Sequence, residues 1–331
     1  MSCCSPQLRL SLTATCYSPS PSPALKSAKH GNFGSRKSKL RQPNTLFIKA
    51  AAGVGQEEKE EEEEFRVLTA VESRYNRIVI LDTPKSRLLL LDSTNNVHSV
   101  FNKEGSKLTG SYWDEFVALP PVVPEGPIAI FGLGGGTAAH LMLDLWPSLQ
   151  LDGWEIDEIL IDQSRDYLGL RDLEKHTTDG GFLNIHIGDV FSPDAAITGG
   201  YAGIIVDLFS GGKVLPQLEQ AATWWKLHDK LMPNGRFMVN CGAGQNRLSA
   251  THEVCHKALP MTGAWRLNPT IRALCQAFPG QVNWKKLPPS AGENYLALTG
   301  SLPDMTTWSA ALPNELKTKV NQWRFCYTHD S

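Results

Sequence analysis

The stretch Ile128-Ala-Ile-Phe-Gly-Leu-Gly-Gly-Gly-Thr137 constrains this chain more than any other. Four apolar residues run directly into a glycine cluster, and an amphipathic segment over 138–146 follows. That order spells a buried parallel strand, a tight turn and a helix start. Gly132, Gly134 and Gly136 lack a Cβ and tolerate positive φ, so the backbone around them and Gly135 passes close to a ligand. The unpaired N–H groups of the helix start then face an anionic or polar group.

Acids close the strands that follow. Glu155 ends the second strand in Trp-Glu-Ile-Asp, with Asp157 as the expected cap of the next helix. Asp189 ends the third in His-Ile-Gly-Asp, and Asp207 the fourth in Ile-Ile-Val-Asp. Ligands of open α/β sheets bind at such carboxyl ends. A nicotinamide site fits less well, because the fingerprint Gly132-x-Gly134-x-x-Thr137 has Thr where a small residue belongs. An S-adenosyl nucleoside uses one acid for its ribose diol, one for its adenine amine and one at the reacting end. Three strand-end acids match that set.

The rest of the pattern predicts an α/β fold: a doubly wound, Rossmann-like, seven-stranded methyltransferase sheet with a small N-terminal antiparallel β-domain. Strands are expected over 66–71, 77–81, 87–91 and 97–101, then a short helix over 112–119 ending before Pro120. Strand and helix alternate from Ile128, which signals parallel pairing. Helices are expected over 158–167, 218–231, 248–258 and 270–278, with Met232-Pro-Asn-Gly235 read as a helix end. An antiparallel pair, 282–287 and 295–298, closes the sheet, and 314–323 is expected as a peripheral helix. Gly211 and Gly212 suggest a mobile loop after Asp207.

Composition sets the boundaries. Residues 1–50 hold eight basic residues and no acidic ones, with many Ser and Pro, as an organellar transit peptide does. The Ser-Pro repeats favour the chloroplast stroma as the destination. Residues 51–64 form an acidic linker, with seven Glu against Lys59 over 57–64. Then come a β-domain with its short helix (65–121), the nucleoside-binding domain (122–300) and a C-terminal segment (301–331). Of the chain's 32 basic and 34 acidic residues, 24 and 34 fall outside the first fifty, a net charge of −10. That balance argues against nucleic acid or an anionic membrane as partner. Cys241, Cys255, Cys275 and Cys326 have no paired or metal-type spacing and read as reduced and mostly buried. His140, His186 and His228 lack ligand spacing too, so no metal is expected.

Over 65–298 the chain resembles the spermidine synthase family, the polyamine aminopropyltransferases within the S-adenosylmethionine-dependent methyltransferase superfamily, in a plant plastid form. Ser-Arg-Tyr75-Asn and Leu-Leu-Leu-Leu-Asp92 stand where that family has similar residues, and Tyr112 to Pro120 matches its helix before the glycine loop. The resemblance implies that Gly132, Gly134, Gly135, Gly136, Glu155, Ile156, Asp189, Val190 and Asp207 hold the nucleoside. It puts Asp207 on the first acid of the catalytic Asp-x-x-Asp loop, and Tyr75, Tyr112, Phe209 and Ser210 at the acceptor. A homodimer through the β-domain is implied as well.

Departures from the family pattern bear on the reaction. The family's glycine-loop Asp is Gly135 here, and its second catalytic-loop Asp is Ser210. Two acids that would hold a cationic polyamine are missing, each worth about 1.5–3 kcal/mol as a charge-assisted contact. Gly135 is also expected to leave space for the carboxylate of intact S-adenosyl-L-methionine. The leading expectation is therefore methyl transfer from S-adenosyl-L-methionine to an unknown acceptor. The alternative is aminopropyl transfer from decarboxylated S-adenosylmethionine, with Asp207 as base helped by Asp114 or Glu115. A non-catalytic nucleoside- or partner-binding protein is the third reading.

Overall fold

The computed structural model describes residues 65–94, 96–105, 107–243, 261–292 and 294–327. The expected transit peptide, the acidic linker, the 248–258 helix and Cys255 lie outside the described residues.

The chain opens with four strands, β1 (Arg66–Glu72), β2 (Arg77–Asp82), β3 (Ser86–Leu90) and β4 (Ser99–Asn102), in one antiparallel sheet in that order. Helix α1 (Trp113–Phe116) follows, then β5 (Ile128–Phe131), α2 (Thr137–Leu145), β6 (Gln150–Glu155), α3 (Glu158–Tyr167), α4 (Leu170–Leu173), β7 (Phe182–Ile187) and β8 (Tyr201–Val206). A two-stranded hairpin, β9 (Phe209–Ser210) and β10 (Lys213–Val214), leads to α5 (Ala221–His228) and β11 (Leu231–Ala243). The chain continues through α6 (Pro269–Ala277), β12 (Val282–Lys286), β13 (Asn294–Thr299), α7 (Met305–Ala310), α8 (Asn314–Lys317) and β14 (Arg324–Phe325).

The main sheet runs β14-β12-β13-β11-β8-β5-β6-β7. Strands β5, β6, β7, β8 and β11 pair in parallel, and β12 and β13 antiparallel, as the sequence leads one to expect. Every residue of β5 and β8 is buried, which is why neither shows hydrophobic alternation. Helices cover both faces: α2 and the C-terminal segment pack on one side, α5 and α6 on the other. The small sheet lies against α3 and its end, with Ile78, Ile80 and Leu89 packed on Leu160 and Leu168.

Three expectations are corrected. The helix read over 218–231 ends at His228, and Met232-Pro-Asn-Gly235 lies inside β11. There the pairing with β8 jumps from Leu231↔Tyr201 to Arg236↔Gly203, and Asn234 takes φ 65°. Turn residues serve a strand irregularity as well as a helix end. The 112–119 helix contracts to one turn, because Pro120 opens a 3₁₀ turn, Pro120–Val122. The 314–323 helix is one turn, α8, plus a 3₁₀ turn, and it is not peripheral: Trp308, Leu312, Leu316, Val320 and Trp323 are buried in the main core.

Candidate active site

Register builds the site. Trp154, Phe131, Val206 and Val239 lie side by side across β6, β5, β8 and β11. The next residue of each strand therefore forms a second row at the carboxyl edge: Glu155, Gly132, Asp207 and Asn240. Strands sit about 4.8 Å apart, so Glu155 and Asp207 flank the glycine turn at about 10 Å. The strand order reverses between the parallel neighbours β5 and β8, the place where open sheets bind ligands.

The turn is tight. Gly132 takes φ 87°, and a Cβ there would meet the Asp207 carbonyl at 2.3 Å. The N–H groups of Gly132 and Leu133 both donate to the Trp154 carbonyl at 3.0 Å. Gly134 N–H donates to Glu155 Oε2 at 3.0 Å, while Oε1 accepts from the N–H groups of Ile156 (2.9 Å) and Asp157 (3.2 Å). Burial pushes the Glu155 carboxyl up, and these donors act against that. Asp157 caps α3 through the Leu160 N–H, as expected. It also accepts from Ser73 Oγ (2.5 Å) and Asn76 Nδ2 (2.8 Å), which pins the β1–β2 turn beside Glu155.

Asp207 is half-buried. Its Oδ2 accepts from Tyr112 Oη at 3.0 Å and its Oδ1 from Asn240 Nδ2 at 3.0 Å, and the Trp113 side chain adds a further hydrogen bond. No ion pair with it is found among the described residues. Desolvation pushes its carboxyl up to about 6, and the neutral donors hold it from rising further. Burial and the adjacent Asp207 charge raise the Tyr112 phenol well above its usual range, so it stays a donor.

Other candidates sit further out. Asp189 is exposed, and its Oδ1 accepts from the Phe191 N–H in a local turn. Ile156 is exposed at the end of β6, whereas Val190 is buried. Tyr75 is exposed on the turn pinned at Asp157, so it belongs to the Glu155 end, whereas Tyr112 belongs to Asp207. Phe209 packs with Val214 across the space a Gly242 Cβ would take, and Ser210 is exposed on the hairpin. Asp114 and Glu115 do not help Asp207. Asp114 binds the Thr109 and Gly110 N–H groups, each at 2.8 Å, and Glu115 binds Lys285. Nor does Gly135 open space: its Cβ position lies 2.7 Å from Ser99 Cβ and 2.6 Å from Leu168 Cδ1. Ser99 Oγ accepts the Gly135 N–H at 2.9 Å. The sequence reading missed Asn240, although it follows the apolar run Phe237-Met-Val within β11 as Asp207 follows Ile-Ile-Val of β8. Nothing in the sequence flagged Ser99.

The fold has known counterparts. No family profile matches the chain. A curated relative, the probable polyamine aminopropyl transferase of Bifidobacterium longum, is 27% identical over 172 residues, covering 51% of this chain and 36% of that protein. The chain thus spans about a third of that relative. A spermidine synthase solved with the transition-state analogue AdoDATO superposes with a TM-score of 0.54 at 15% identity, covering 78% of this chain and 90% of that one. The fold is that of the spermidine synthases. Solved examples from Corynebacterium glutamicum (a probable spermidine synthase; TM-score 0.52, 14% identity, 74% and 86% coverage) and Thermotoga maritima (0.51, 15%, 78% and 89%) agree.

Proposed function

We propose that this chain is an aminopropyltransferase of the spermidine synthase type, using decarboxylated S-adenosylmethionine and an amine acceptor. The observation that carries the reading is Asp207: a carboxylate with no cation beside it among the described residues, raised to about 6, at the switch point beside the glycine turn. A group of that strength takes a proton well near neutral pH. Glu155 would grip the ribose diol two strands away. The bound nucleoside supplies a sulfonium with an electrophilic propyl carbon. A new C–N bond forms there as the C–S bond breaks; the electron pair stays on sulfur, and the amine proton passes to Asp207. Tyr112, Trp113 and Asn240 orient that carboxylate. Ser99 and Leu168 fill the space beside Gly135, which removes the observation that favoured intact S-adenosylmethionine, and the curated relative's name points to aminopropyl transfer.

Methyl transfer remains the second reading, favoured by Ser210, which leaves the hairpin without a second acid for a diamine. An assay with putrescine and decarboxylated S-adenosylmethionine separates the two. The reading expects product from the wild type and a loss of about 10²–10⁴-fold in Asp207→Asn. Absence of turnover with any amine would remove it.

A further inference from the structure

The Tyr112 and Trp113 donors on Asp207 come from an element too short to hold itself. Helix α1 is four residues long, and a single turn is unstable alone. Its position is set by its ties. Asp114 holds the 109–110 turn, Trp146 Nε1 donates to the Val117 carbonyl (3.0 Å), and Trp308 Nε1 to the Ala118 carbonyl (2.8 Å). The strongest tie is ionic. Glu115 Oε2 accepts from Lys285 Nζ at 2.5 Å, with the two side chains only 4% and 1% exposed. Lys285 Nζ also donates to the Lys319 carbonyl at 3.2 Å and lies 5.4 Å above the Trp323 ring. Lys319 Nζ stands 4.0 Å from Glu115 Oε1. One cluster thus joins β12, the C-terminal segment and α1, whose own start bears Tyr112 and Trp113.

We propose that Lys285 is a positioning residue for Asp207: through Glu115 it fixes α1, and α1 sets the Tyr112 and Trp113 hydrogen bonds on the reacting carboxylate. The inference rests on the reading that Asp207 faces the reaction. A buried ion pair contributes little net stability beside an apolar substitute, whereas breaking one leaves an uncompensated charge. Geometry is what such a pair secures. Hydrogen bonds weaken steeply with misalignment. Among the described residues the groups facing Asp207 are the Tyr112 phenol and the uncharged Trp113 and Asn240, and those facing Glu115 are Lys285 and Lys319. The Tyr112 and Trp113 bonds lower the Asp207 pKa, so loosening α1 raises it.

The test is a ¹³C NMR titration of the full chain labelled at its Asp carboxyls, with Asp207→Asn assigning the resonance. The wild-type midpoint is expected near 6. Lys285→Met should raise it by about one pH unit, the scale of one lost hydrogen bond. A folded Lys285→Met protein with an unmoved midpoint overturns the proposal, even if its melting temperature falls. Should that variant not fold, the neutral pair Glu115→Gln/Lys285→Met carries the test: a raised midpoint supports the proposal and an unmoved one overturns it. No turnover enters the readout. A missing aminopropyl activity would therefore sink the functional reading alone, and a fixed midpoint in an active enzyme would sink this inference alone.

Discussion

A desolvated carboxylate with only neutral donors is costly to keep charged, and among the described residues Asp207 has no other partners. Its carboxyl rises from an ordinary 3.8 to about 6. Between those values the native protein holds a proton that the unfolded chain has released, so stability falls as pH rises from about 4 to about 6 and does not recover above it. Asp207→Asn should therefore melt higher than wild type at pH 8, by on the order of 1–3 kcal/mol, with the gap closing near pH 4. Thermal denaturation at the two pH values checks this; an equal gap at both would contradict the assignment. Burial raises Glu155 as well, but its oxygens bind three backbone N–H groups and hold the turn in shape. Glu155→Gln should weaken nucleoside binding by about 10–100-fold, as losing charge-assisted bonds does. A calorimetric titration showing unchanged affinity would exclude Glu155 as the ribose ligand.

Elements show where sequence suffices and where it stops. Strands β5 and β8 were legible because buried parallel strands are continuous apolar runs. A polar residue closing such a run pointed to Asp207, and the same logic applied to Phe237-Met-Val-Asn240 would have found Asn240, whereas Glu155 was legible from its place after the glycine turn. What could not be read was which side chain enters which gap. Gly135 looked like space from the sequence, and β4 fills that space with Ser99. Gly135→Asp, which restores the acid of the family pattern, should accordingly destabilise by about 1–3 kcal/mol through overpacking, read as a lower urea midpoint. A neutral or stabilised variant would show that Ser99 and Leu168 yield. The β1–β2 turn depends in the same way on a partner distant in sequence. Asp157→Ala removes both the cap of α3 and the anchor of Ser73 and Asn76, and should cost about 2–4 kcal/mol in urea denaturation. A loss no greater than the cap alone, about 1 kcal/mol, would mean the turn holds without Asp157.

At the scale of the whole molecule, the small sheet and the C-terminal segment reach the candidate site at different places. The small sheet delivers Ser99 and the pinned turn to the glycine turn and Glu155. The C-terminal segment braces α1, and through it Asp207. The sequence suggested a peripheral helix over 314–323, whereas Leu316, Val320 and Trp323 are buried in the core. An aminopropyltransferase on this frame should discriminate at the glycine turn, where intact S-adenosylmethionine carries a carboxylate that the decarboxylated compound lacks. The most direct measurement is an equilibrium titration of the full chain with both compounds. The account predicts at least about tenfold tighter binding of the decarboxylated form, roughly 1.4 kcal/mol. Tighter binding of intact S-adenosylmethionine would contradict it and return the chain to methyl transfer.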